Sequence, residues 1–124
     1  MILISISVGE ALDRLSILEI KAHRLQNESE RRAAKMDLEL LRGELASTEE
    51  DTGDLTNDPL YLEIKRLNEL MWDAMQEIYD SEVFGDNAVN LTLEIVEVNK
   101  RRAFAKRAID MRAGSKITEA KSFF

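Results

Sequence analysis

Ser7-Val8-Gly9-Glu10-Ala11-Leu12-Asp13-Arg14-Leu15-Ser16-Ile17-Leu18-Glu19-Ile20-Lys21-Ala22 is the stretch on which the fold turns. Ser7 and Glu10 stand in S-x-x-E spacing, the arrangement in which a hydroxyl caps the third helical N–H and the glutamate reaches back. An apolar-periodic run follows at once. Val8, Leu12, Leu15, Ala22 and Leu25 form one stripe, widened by Ala11 and Leu18. Ile17 and Ile20 fall off that stripe. A helix that is apolar on two faces requires two neighbours, supplied either by its own chain or by an oligomer.

The rest of the chain reads as more helices. Asn27 and Glu30 repeat the capping spacing, so a break or a sharp kink is expected between a helix over 8–26 and another over 28–47. Ala34, Leu38, Leu41 and Leu45 lie on one face of the second. Thr48 to Asp58 is polar and acidic, contains Gly53, and reads as a loop. Asp58-Pro59 restarts the chain as N-cap and first helical residue. The third helix, over 59–84, carries Leu60, Ile64, Leu67, Met71, Met75 and Ile78, with Trp72 and Tyr79 extending that face, and Gly85 suits a left-handed cap. A fourth, over 87–113, carries Leu91, Ile95, Val98, Ala105 and Ile109, and Gly114 ends it. Residues 1–7 alternate Ile or Leu with Ser5 and Ser7 and read as a short extended arm. Such an arm needs a partner, either the tail over 115–124, which ends in Phe123-Phe124, or a second subunit. The expected fold is therefore all-α: one domain, an antiparallel bundle of about four helices with a short extended N-terminal segment.

Composition agrees. The 124 residues suit one core. Sixteen Leu, fifteen Glu and twelve Ala against a single Pro favour helix. With no Cys and only His23, disulfides, thiolate zinc and multi-histidine metal sites are excluded. No metal or cofactor is expected. No apolar run reaches the roughly 18 residues of a membrane span, and the first residues lack a basic n-region, so a cytoplasmic protein is expected.

The net charge of −7 is unevenly spread. Residues 1–98 hold nine basic and twenty-two acidic residues, net −13, while 99–124 hold eight and two, net +6. A basic last helix beside acidic ones accounts for this, within the fold or across a dimer. Nucleic acid is not an expected partner of so acidic a chain.

Helical spacing singles out the polar residues. Glu10, Arg14, Ile17 and Lys21 run along one side of the first helix, with Asp13, Ile20 and Arg24 beside it. They form either a ladder of weak i,i+4 pairs or a partly buried polar network. Asn68 and Trp72 share a face of the third helix, as core packing or as a register-setting polar contact. Asn99, Arg102 and Lys106 share a face of the fourth with Val98 and Ala105. An arginine inside an apolar stripe needs an acid from another helix, or else suits a bound carboxylate or phosphate. His23 reads as a surface residue with Glu19 within reach.

The run Ile6 to Lys21 resembles the opening signature, roughly I-S-x-G-E-L-x-D-K-[LI]-[ST]-I-L-E-I-K, of a small bacterial family of unknown function. Asn68 and Trp72 are similar to its Asn-to-Leu-Trp-Asp block. Asn99 with Arg101 or Arg102, Lys106, Ile109, Gly114-Ser115 and Glu119-Ala120-Lys121-Ser122 look like its closing blocks. Arg14 stands where that pattern has Lys. The resemblance supports the fold and the choice of polar residues, and it implies no reaction.

Two functions are compatible with these readings. The first is an oligomeric interaction or structural module without catalysis, a dimer being favoured. The alternative is a small enzyme or binding protein for an anionic metabolite held between helices by Arg14, Lys21, Arg102 and Lys106. Catalytic residues are not identifiable.

Overall fold

The computed structural model describes residues 1–54, 57–81 and 86–114. Four helices follow one another: α1 (Val8–Arg24), α2 (Glu28–Ser47), α3 (Pro59–Ser81) and α4 (Asp86–Ala113). The all-α bundle expected from the sequence is the fold. The ends differ slightly: α1 stops two residues earlier than the spacing implied, and α3 is described to Ser81, residues 82–85 with the Gly85 cap lying outside the described residues.

The caps set the starts. Ser7 Oγ accepts from the Glu10 N–H at 3.1 Å, and Asn27 Oδ1 accepts from the Glu30 N–H at 3.0 Å. The α1–α2 junction is a break, not a kink: Leu25 adopts extended backbone at φ −61 and ψ 132. Arg31 ties it by donating to the Leu25 carbonyl at 3.0 Å. Gly114 takes a positive φ of 63, as a C-terminal cap requires.

α1 is the centre of the bundle. α2, α3 and α4 all pack against it, α3 also packs on α4, and α2 approaches α1 alone. α1 and α4 run antiparallel, Gly9 meeting Asp110 and Asp13 meeting Arg102. α3 and α4 do likewise, Asp58 meeting Arg112 and Met71 meeting Arg102. The main core gathers Val8, Ala11, Leu12, Leu15, Leu38, Leu45, Tyr61, Ile64, Ala105 and Ile109. The two-faced apolar pattern of α1 is thus satisfied inside one chain.

The N-terminal segment forms no strand among the described residues; Met1 to Ile4 are exposed, while Ile6 packs on the core. The pairing proposed for it with the tail falls on residues outside the described ones. On α3 burial changes along the helix, not around it: Tyr61, Ile64, Leu67, Asn68 and Ala74 are buried, whereas Met75 and Tyr79, on the same face nearer the C-terminal end, are exposed. Tyr61, unmarked by the sequence reading, is one of the most deeply buried side chains.

Gly43 lies in mid-α2 on the exposed side with open space where a Cβ would sit. Gly43→Ala is therefore expected to stabilise the fold by about 0.5–1 kcal/mol, read as a rise in thermal midpoint, because alanine loses less backbone entropy in a helix.

Candidate functional site

The polar residues selected by spacing largely converge. Asp13 is buried on α1 at 3% exposure, a position no carboxylate holds without partners. Arg102 from α4 supplies them, Nη2 donating to Oδ2 at 2.7 Å and Nε to Oδ1 at 3.3 Å. Asn68 from α3 donates through Nδ2 to Asp13 Oδ1 at 2.9 Å and to Ser16 Oγ at 2.7 Å. Ser16 closes the ring by donating to the Asp13 main-chain carbonyl at 2.7 Å. The remaining guanidinium nitrogen of Arg102 donates to Asn99 Oδ1 at 2.9 Å and to Met71 Sδ at 3.7 Å. Three helices are thereby held by one carboxylate.

One turn nearer the α1 N-terminus, Lys106 Nζ lies 2.6 Å from Glu10 Oε2 and 3.9 Å from Asp13 Oδ2. Arg14 meets the other Glu10 oxygen at 3.1 Å. Burial pulls the Glu10 carboxyl up, but the bonds from Lys106 and then Arg14 outweigh it and hold the group below its ordinary 4.5. At the very end Gly9 donates its N–H to Asp110 Oδ1 at 2.6 Å. A Cβ at Gly9 would stand 2.3 Å from the Lys106 carbonyl oxygen, so glycine is what allows α1 and α4 to touch backbone to backbone.

Of the nine polar residues singled out, Glu10, Asp13, Arg14, Asn68, Asn99, Arg102 and Lys106 belong to this cluster, and Lys21 and Trp72 do not. Lys21 is exposed, and Trp72 is half-buried one turn beyond Asn68. Neighbouring Asp73 instead pairs with Arg24 at 2.5 Å. The simple ladder along α1 is reduced to Glu10–Arg14, since Asp13 turns inward to α3 and α4.

A second cluster escaped the sequence reading. Glu19, within reach of His23 by spacing, accepts instead from the Tyr61 hydroxyl at 2.6 Å and from Lys65 Nζ at 2.7 Å, with Arg42 of α2 at 4.0 Å. Burial and then the adjacent carboxylate push the Tyr61 phenol far above its ordinary value. For Glu19, burial raises the pKa, and the bonds from Lys65 and Tyr61 more than reverse it, leaving the carboxyl below 4.5. Its contribution to stability is complete above the unfolded value and is lost as pH falls through the lower folded one. The thermal midpoint is therefore expected to drop on acidification from just above pH 4.5, and Glu19→Gln to flatten part of that drop in a pH series of melts.

A third pair fastens the loop before α3. Asp58 caps that helix through Oδ1, which accepts from the Leu60 N–H at 3.1 Å and from Arg112 at 2.7 Å. Gly53, at φ 73, sits against both side chains where any Cβ would collide.

Among the described residues no group of three or more acidic, histidine or cysteine side chains is placed to hold a metal ion. No helix is long and apolar enough to cross a membrane, among the described residues.

The outward face of α4 is the feature the sequence reading overlooked. Val89, Leu93, Val96, Phe104 and Met111 are all exposed. They recur at helical spacing with Lys100, Ala103 and Arg107. Leu91, Val98 and Ala105 point into the core, whereas Val89, Val96 and Ala103 are each two positions earlier. At about 100° per residue that offset is about 200°, the opposite side of the helix. The signal was present as a second heptad series, hidden by reading α4 as one stripe.

Comparison with protein-family models, curated proteins and solved structures yields no match to this chain.

Proposed function

We propose that the protein is a non-catalytic, oligomeric interaction module of the cytoplasm whose working surface is the outward face of α4. The observation that carries this reading is the exposure of Val89, Leu93, Val96, Phe104 and Met111 along one side of a 28-residue helix whose other side is already in the core. An exposed row of large apolar side chains on a small domain supports an association site. The polar cluster then has a structural role. It sets the register of α1, α3 and α4 and leaves the outer face of α4 free.

The alternative, an anionic-metabolite site, draws less support from the same geometry. Arg102 spends its donors on Asp13, Asn99 and Met71, and Lys106 and Arg14 both turn to Glu10. A ligand there would have to displace charge-assisted bonds that already satisfy the site.

Sedimentation across a concentration series tests the reading. The wild-type chain is expected to self-associate, with a thermal midpoint that rises with protein concentration. Leu93→Glu and Phe104→Glu, both at exposed positions, are expected to retain full helical circular dichroism and sediment as monomers. A wild-type chain that remains monomeric throughout, with a concentration-independent midpoint, overturns it.

A further inference from the structure

Like α4, α2 leaves one face uncovered. Among the described residues it packs on α1 alone, with Ala34, Leu38 and Leu45 buried. Met36 and Leu40 stand two positions to either side of Leu38, and Gly43 and Ser47 two positions to either side of Leu45, about 200° round the helix. With Ser29 and Ala33 they form a line of six exposed positions without a charge, although nine of the twenty α2 residues are charged. The line runs at intervals of 4, 3, 4, 3 and 4 residues. On α4 the exposed line Val89, Leu93, Val96, Lys100, Ala103 and Arg107 runs at the same intervals. That rhythm is the one at which two long helices pack side by side.

The charges of the two lines match in sign and spacing. Asp37 is four residues after Ala33 and three before Leu40, and Glu44 is four after Leu40 and three before Ser47, so both border the α2 line on the same side. Lys100 and Arg107 stand within the α4 line. Each pair is seven residues apart, about 10.5 Å along a helix. Neighbouring charges are spent on their own helices, Arg32 on Glu28, Arg42 on Glu39 and Arg101 on Glu97. Asp37, Glu44, Lys100 and Arg107 have no ion-pair partner among the described residues. We infer that the outward face of α4 docks on the outward face of α2 of a second copy of this chain, with the two bases against the two acids. This rests on the proposed association through α4 and adds the surface that receives it. Within one chain α2 and α4 make no contact among the described residues, and both lines turn away from the bundle, so the contact joins two copies. The small Ser29, Ala33 and Ser47 leave room for the larger apolar side chains of α4. Because the two faces differ, the contact is head-to-tail.

Blocking one face at a time tests this. Leu40→Glu closes the α2 face and Phe104→Glu the α4 face, both at exposed positions. Each variant alone is expected to sediment as a monomer with full helical circular dichroism. Their equimolar mixture is expected to form a two-chain species, since each supplies the face that the other has lost. In the otherwise unaltered chain, Lys100→Glu with Arg107→Glu is expected to weaken association by about tenfold or more, and adding Asp37→Lys and Glu44→Lys to recover most of that loss, the same pairs then meeting with their signs exchanged. A Leu40→Glu chain that still self-associates, or a mixture that stays monomeric, overturns α2 as the receiving surface while association of the wild-type chain stands. A charge exchange that recovers nothing overturns the match of bases to acids. A wild-type chain that never associates, or a Phe104→Glu chain that still does, overturns both this inference and the reading of α4 as the working surface.

Discussion

Asp13→Ala is expected to destabilise the protein by about 3–5 kcal/mol, the range found when one partner of a buried ion pair is removed. Alanine would leave Arg102, itself largely buried, and the Asn68 amide without the carboxylate they donate to. The size of the loss comes from that abandoned charge, not from the intrinsic worth of the pair. Arg102→Met in the same background is accordingly expected to restore a large part of the stability, because it removes the orphaned guanidinium while keeping its apolar volume. Urea denaturation of the two single variants and the double variant measures this coupling. If the double variant were as unstable as the sum of the singles, Asp13 and Arg102 would be acting independently, contrary to their 2.7 Å contact. An undiminished stability in Asp13→Ala would show the site to be open to solvent.

Gly9→Ala is expected to cost about 3 kcal/mol, at the upper end of what an added methyl does in a packed interior. Its obstacle is the Lys106 carbonyl oxygen at 2.3 Å, with the Lys106 carbonyl carbon at 2.9 Å, and neither can rotate away. The start of α1 would have to back off from α4, lengthening the Gly9–Asp110 hydrogen bond and pulling Glu10 from Lys106. The same methyl at Gly43 meets nothing and is expected to stabilise. Thermal melts of the two variants side by side separate close approach from helix propensity: both are Gly→Ala within helices, and only packing distinguishes them. A small or favourable effect at Gly9 would mean that α1 and α4 are not in backbone contact.

Much of the architecture is legible in one dimension. Ser7 with Glu10 and Asn27 with Glu30 mark where helices begin because capping is a local exchange between a side chain and N–H groups three residues on. The stripes through Leu12, Leu15, Leu38, Leu45, Ile64, Leu67, Val98 and Ile109 mark what is buried because helical periodicity repeats within the chain. The convergence of Glu10, Asp13, Asn68, Asn99, Arg102 and Lys106 is half legible. An arginine within an apolar stripe requires an acid, but spacing names no partner. Asp13 is chosen over the other acids only by where α1 lies against α4.

Other features belong to the assembled fold. Tyr61 and Glu19 meet across α1 and α3, and nothing within either helix forecasts it: Tyr61 and Tyr79 share one face of α3 five turns apart, and only where the neighbouring helices lie along α3 buries the first and exposes the second. Gly9 looks like any helix-start glycine until the Lys106 carbonyl is placed beside it. The apolar residues of α1 and α4 are alike in proportion, and each helix carries two apolar faces, yet the fates of those faces differ. α1 is surrounded by three helices and both its faces are covered, whereas α4 lies at the margin of the bundle and one face is left outside. Composition and periodicity set how much apolar surface each helix carries, because those are properties of residues in order. Which of that surface stays open is a property of neighbours, and neighbours exist only once the chain has folded.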